Sequence, residues 1–143
     1  MSFFAGQGRE QLRRRYLDAW RKFSAHERLE PLEAQLAAVI AEHPEYVAWL
    51  ETGEKALRGE FTPEGGRENP FLHMGLHLAI REQVSTDRPQ GIAGVHAELV
   101  RRRGGAHQAE HAMIEPLAET LWEAQCSGHA PDEQAYLERL RRL

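Results

Sequence analysis

Cysteine is nearly absent from the sequence, which has only Cys126 among its 143 residues. One cysteine cannot form an intramolecular disulfide, so a disulfide framework is excluded and the chain suits a reducing cytoplasm. Cys126 lies in the run LWEAQC, close to Trp122. A small packed residue is therefore a better interpretation of Cys126 than a reactive thiol.

Long apolar runs and a strong charge of one sign are also missing. No apolar stretch reaches the roughly 18 residues that a membrane span needs, and the N-terminus has its apolar residues ahead of its basic ones, unlike a signal peptide. We therefore expect a cytoplasmic protein without a membrane partner. The net charge of −4 gives no overall attraction to nucleic acid. The basic runs 13–15 and 101–103 are better explained as a solvated helix face and a helix C-terminus.

The chain shows no strand alternation and no internal repeat, whereas helical spacing of apolar residues recurs along it. This pattern predicts an all-α fold: a single domain, 1–143, forming a bundle of about five to six helices. The predicted helices cover 9–23, 31 to about 43, 69–84, 91–103, 106–125 and a short stretch after Pro131, with a helical turn near Trp49. Pro44 should end or kink the second helix, and His43 at that boundary receives no role beyond the helix dipole.

The segment 52–68 contains four glycines and Pro63, which favours a loop. It lacks the periodic glycines and the Lys-Ser or Lys-Thr pair of a phosphate-binding loop, so no nucleotide and no organic cofactor is implied. A connector is the simpler interpretation, and a lid over the following helix is the alternative.

That following helix, NPFLHMGLHLAIREQV, carries the most informative pattern in the chain. Asn69 is a favourable N-cap and Pro70 a favourable first residue, so the helix should begin there. His73 and His77 then lie one turn apart on one face, in a helix that is apolar on nearly every side. Two imidazoles in a buried helix need partners, either a metal ion or other polar groups.

A second pair, His107 and His111, repeats the His-x-x-x-His spacing near the start of a later helix. Residues four apart can reach one ion, and the positive end of a helix dipole keeps imidazole in the neutral form that binds metal. If consecutive helices are antiparallel, the two histidine helices run parallel and their N-termini lie at the same end of the bundle. The spacing therefore predicts one site formed by both pairs.

Two carboxylates accompany the second pair. Glu115 follows His111 by four residues and could act as a metal ligand or as a general base, and Glu110 is the next candidate for the base. His107, Glu110 and His111 also match the order found in inverted zinc peptidases, but this chain gives no sign of their third ligand or substrate cleft. Pro116 should break or kink the helix around Ala112.

Three explanations of the four histidines remain open. They could hold a transition metal, for which imidazole ligands favour Zn, Fe, Ni or Mn over Mg or Ca. They could instead form a structural hydrogen-bond network with carbonyls, tyrosines or carboxylates. A metal-free acid/base site is the third possibility. A ferritin-like di-iron site is disfavoured because its Glu-x-x-His pairs do not occur on these helices.

The chain resembles the bacterial domain-of-unknown-function family 1841. The resemblance rests on NPFLHMGLHLAIREQ (69–83), DRPQGI (87–92), AEHAMIE (109–115) and LWEAQ (121–125), with weaker similarity in LDAWRK and EHPEY. It covers nearly the whole chain and implies a small helical bacterial protein without implying an activity.

Two functional hypotheses follow from these residues. The first is a metal-dependent protein, either a hydrolase or an oxygen-handling enzyme, in which the ion supplies Lewis acidity or activates water. The second is a non-enzymatic helical interaction protein whose histidines are structural. The partner is an unidentified small molecule or protein, and the sequence does not determine the oligomeric state.

Overall fold

The computed structural model describes residues 8–59 and 69–143, and the regular structure in these ranges is helical throughout. The described residues form eight helices. They are α1 (Arg9–Ser24), α2 (Pro31–Ala41), α3 (Pro44–Leu50), α4 (Glu54–Arg58), α5 (Pro70–Thr86), α6 (Ile92–Arg103), α7 (Ala106–Ser127) and α8 (Glu133–Arg141).

The chain divides into two compact units, 1–78 and 79–143, with the division falling inside α5. In the first unit, α1 packs against α2 and α4, and α3 packs against α2 and α4. Their apolar faces meet in one core with the first turns of α5. Its buried members are Tyr16, Ala19, Leu36, Val39, Ile40, Leu50, Ala56, Phe71, Met74 and Leu78. Burial of each large side chain contributes about 1.5–3 kcal/mol. This core therefore fixes the end of α2, which His43 follows, and the start of α5, which carries His73 and His77.

In the second unit, α6, α7 and α8 pack against one another. The Asp132 side chain accepts a hydrogen bond from the Ala135 N–H and so caps α8. Gly104 ends α6 in the left-handed region, with φ of 86°, where the lack of a Cβ avoids a steric penalty. These caps account for the sharp turns that separate the three helices.

The all-α class is confirmed in the described residues, but the expected number of helices was too low. The helical turn near Trp49 forms a separate helix, α3, because Pro44 starts it after an interruption at His43. The predicted loop contains α4, a helix of five residues between Gly53 and Gly59. Its flanking glycines suggested a loop, and a stretch this short has little helical periodicity to detect. Residues 60–68 of the predicted loop lie outside the described residues.

The expected break at Pro116 was wrong. The helix α7 runs without interruption from Ala106 to Ser127. The proline ring is buried in the second unit, where packing stabilises the helix around it. The Thr120 hydroxyl donates a hydrogen bond of 2.8 Å to the Pro116 carbonyl oxygen.

Across 8–59 and 69–143, no helix combines the length and the apolar character needed to span a bilayer.

Candidate metal centre

The start of α5 places two histidines at fixed positions in the first unit. The Asn69 Oδ1 accepts hydrogen bonds from the N–H groups of Phe71 at 3.0 Å and of Leu72 at 3.3 Å. These bonds satisfy two of the donors that a helix N-terminus leaves unpaired, which confirms the predicted cap. His73 and His77 therefore lie in the first two turns of a well-anchored helix.

His73 and His77 point toward each other from successive turns of α5. Their Nε2 atoms are 3.2 Å apart, and their ring centres are 4.9 Å apart. Two nitrogens that bind one tetrahedral zinc ion, with bonds of about 2.0–2.1 Å, lie about 3.3 Å apart. His77 is fully buried, whereas His73 is partly buried. The two Nε2 atoms thus have the spacing of two ligands of one ion. Solvent reaches part of the His73 side chain.

A third histidine, His43, joins this pair from the junction between α2 and α3. Pro44 disfavours the helical conformation at the residue before it, and His43 adopts φ of −127° and ψ of 65°. The chain turns at this point, and the His43 ring becomes buried with 1% of its surface exposed. Its Nδ1 lies 2.8 Å from the carbonyl oxygen of Val39 in the last turns of α2. A carbonyl oxygen only accepts, so Nδ1 carries the proton and donates it.

The three imidazoles form a nearly equilateral cluster. The ring centre of His43 lies 5.1 Å from that of His73 and 4.7 Å from that of His77. One ring nitrogen from each can be chosen so that all three lie within 4.8 Å of one another. The Tyr46 ring stacks on His43 with 4° between the planes and 5.4 Å between the centres. This histidine cluster, His43, His73 and His77, could hold a metal ion.

The second unit contains the other predicted pair. His107 and His111 have ring centres 4.5 Å apart, with His107 partly buried and His111 exposed. The one-turn spacing on α7 therefore brings this pair together as expected. Glu115 is exposed one turn further along α7. The prediction that both histidine pairs share one ion with Glu115 stays a prediction.

Glu110 has a specific partner within the second unit. Its Oε1 and Oε2 lie 3.1 Å and 3.0 Å from the Nε of Arg81, and Glu110 is buried. A buried carboxylate bound by a guanidinium is stabilised in its charged form. This arrangement favours a structural role for Glu110 over the role of general base that the sequence suggested.

Sequence reasoning gave no role to His43, although the relevant pattern was visible. His43 shares the apolar face of α2 with Leu36, Val39 and Ile40, and such a position predicts burial rather than exposure at a helix end. The expected interaction with the C-terminus of α2 is real, because the ring donates to the Val39 carbonyl. The sequence predicted the interruption at Pro44. It did not predict that this interruption brings the His43 ring to the pair on α5.

Together these features describe a class of small helical protein in which imidazoles from separate helices could hold a metal ion. The sequence model of the family described as "Domain of unknown function (DUF1841)" matches residues 8–142. The chain belongs to this family. No curated protein and no solved structure matches the chain at a significant level.

Proposed function

We propose that the protein binds one transition-metal ion through His43, His73 and His77. The observation that carries this proposal is the cluster of three imidazoles, two of them buried, whose ring nitrogens lie within 4.8 Å of one another. The tautomer of His43 supports it. With the proton on Nδ1, the lone pair is on Nε2, and a histidine oriented by a backbone carbonyl in this way is typical of metal ligands.

The chemistry of the ligands favours Zn, Fe, Ni or Mn. Three protein ligands with one position left for water are typical of catalytic zinc sites, whereas structural sites use four protein ligands. An ion held by three imidazoles would polarise a carbonyl or lower the pKa of a bound water, which is the basis of hydrolysis. A metal-dependent hydrolase or an oxygen-handling enzyme is therefore the activity that we propose.

The sequence prediction adds His107, His111 and Glu115 to the ligands, and a site with His111 as fourth ligand is the second version of the proposal. A fourth imidazole would close the coordination sphere and favour a structural or storage role. The His111→Ala variant separates the two versions. Loss of the ion would support the closed site, whereas retention of the ion would support an open, catalytic site that ends at three histidines.

The test of metal binding is elemental analysis of the untagged protein, combined with thermal melts before and after chelation. We expect one ion per chain and a lower melting temperature after chelation, because an ion that binds the native state stabilises it. The His73→Ala variant should lose the ion, and His129→Ala, at an exposed histidine outside the cluster, is the matched control. Substoichiometric metal together with an unchanged melting temperature would refute the proposal.

The structural network remains the alternative, and one contact is compatible with both explanations. In the absence of an ion, the 3.2 Å separation of His73 Nε2 and His77 Nε2 fits a direct hydrogen bond in which one ring donates and the other accepts. In that case His77→Ala would lower the stability while added zinc would leave the melting temperature of the wild-type protein unchanged.

A further inference from the structure

The first unit also contains a cavity that shares no residue with the histidine cluster. Its volume is about 550 Å³, and it is lined by residues of α1, α3 and α4 and by the turn between the last two. Cavities of roughly 300–1,000 Å³ are typical of small-molecule sites. We call it the α1/α4 cavity.

Part of the wall of the α1/α4 cavity is apolar. Leu17 and Trp20 contribute from α1, and Leu50 and Leu57 contribute from α3 and α4. Trp20 also stacks on Phe23, with ring centres 5.2 Å apart, which holds the indole in place. An aromatic wall held in this way can bind the apolar body of a ligand, and its face can bind a cation.

The rim of the α1/α4 cavity carries charged residues of both signs. Asp18, Glu51 and Glu54 line the cavity together with two arginines, Arg14 and Arg21. Both arginines are paired with carboxylates that do not line it: Arg14 with Glu10 at 3.4 Å, and Arg21 with Glu27 at 3.2 Å.

The acidic side of the rim is less fully paired. Glu54 lies 3.5 Å from Arg58. Within the part of the chain that the structure describes, Asp18 and Glu51 take part in no salt bridge. The rim therefore offers the carboxylates of Asp18 and Glu51 to a ligand, whereas Arg14 and Arg21 each have a carboxylate partner.

We propose that the α1/α4 cavity binds a small organic cation: a protonated amine attached to an aromatic or aliphatic body. The body would pack between Leu17, Trp20 and Leu57, and the ammonium group would lie near Asp18 and Glu51. The proposal is independent of metal binding, because it uses none of the three histidines.

The test uses three probes that share a phenyl-ethyl body and differ in charge: 2-phenylethylamine, 2-phenylethanol and 3-phenylpropanoate. Binding is measured by isothermal titration calorimetry with the full-length protein. We expect saturable one-to-one binding of the amine, affinity lower by at least about tenfold for the alcohol, and no saturable binding of the carboxylate. Equal or tighter binding of the carboxylate, or no saturable binding of the amine, would overturn the proposal.

Variants locate the binding and test the role of charge. The Asp18→Asn, Glu51→Gln double variant should weaken binding of the amine by at least about tenfold while the alcohol binds as before. Its control is the Glu82→Gln, Glu138→Gln double variant, which removes the same charge at exposed positions outside the cavity. The control should bind the amine like the wild-type protein, and an equal loss in both variants would contradict the assigned position.

A filled cavity provides a test that does not involve charge. Ser24 is exposed at the end of α1 and lines the cavity, so Ser24→Trp should fill part of it without disturbing the core. We expect this variant to bind neither the amine nor the alcohol, with an unchanged far-UV circular dichroism spectrum. Unimpaired amine binding in this folded variant would place the ligand elsewhere and refute the proposal.

Discussion

The Nδ1 of His43 lies 2.8 Å from the carbonyl oxygen of Val39, four residues earlier in the chain. This contact satisfies one of the carbonyls that the C-terminus of α2 leaves without a helical partner. It also fixes the ring orientation and places the lone pair on Nε2. One hydrogen bond thus stabilises a helix end and orients an imidazole that we propose as a metal ligand.

The first prediction concerns His43 itself. Loss of a group that hydrogen-bonds to a metal ligand typically lowers metal affinity by roughly 10–100-fold. The His43→Ala variant loses a proposed ligand itself, so its metal affinity should fall by more than this. Competition titration with a chromophoric chelator measures the change. His129→Ala should bind like the wild-type protein, and an unaltered affinity in His43→Ala would remove His43 from the site.

The second prediction concerns the turn that positions His43. Pro44→Ala restores a backbone N–H and removes the restriction on the preceding residue, so α2 can extend through His43 and carry its ring away from α5. Metal affinity should decrease by about tenfold although all three ligands are present. The same titration measures it, and far-UV circular dichroism should show that helix content is kept. An affinity like that of the wild-type protein would mean that Pro44 does not set the ring position.

The third prediction concerns the pair formed by Arg81 and Glu110. Arg81→Ala removes a hydrogen-bonded cation from a buried carboxylate, so the free energy of unfolding should fall by about 1–3 kcal/mol, a range that allows for the partial exposure of Arg81. Glu110→Gln should be destabilising as well but should leave metal content unchanged. Urea denaturation and elemental analysis measure the two effects. Loss of metal in Glu110→Gln would restore Glu110 as a member of the site.

The fourth prediction concerns alkaline stability. Burial raises the pKa of Tyr16 and of Tyr136 above the usual range, and Tyr136 also donates a hydrogen bond of 2.7 Å to Gln83. A raised pKa in the folded state gives stability that is fully present below the unfolded value of about 10 and is lost as the pH rises above it. The melting temperature should therefore decline above this pH. The decline should be smaller in Tyr16→Phe and in Tyr136→Phe than in the wild-type protein. A decline in both variants equal to that of the wild-type protein would contradict the assignment.

Local patterns in the sequence predicted those parts of the structure that depend on neighbouring residues. Asn69 and Pro70 indicated where α5 begins, and the spacing of four between His73 and His77 placed both rings on one face. The same spacing brought His107 and His111 together on α7. Each of these features needs only the geometry of one helix and one cap.

The features that the sequence did not predict depend on packing between elements. The position of His43 beside α5 requires the interruption at Pro44, which the sequence predicted, and the core that α2 shares with the first turns of α5, which follows from no local pattern. Glu110 was a candidate base in the sequence because no local pattern links it to its charge partner. That partner, Arg81, is 29 residues away on another helix. Pro116 looked like a helix breaker because the propensity of one residue does not include the packing that stabilises α7 around it.

The most direct test of the central claim is a zinc titration of the metal-free protein in competition with a chromophoric chelator. The wild-type protein should take up one equivalent of zinc per chain, and the variant with His43, His73 and His77 all replaced by Ala should take up none. A wild-type protein that does not compete with the chelator, or a triple variant that still binds one equivalent, would contradict the claim that these three histidines form a metal site.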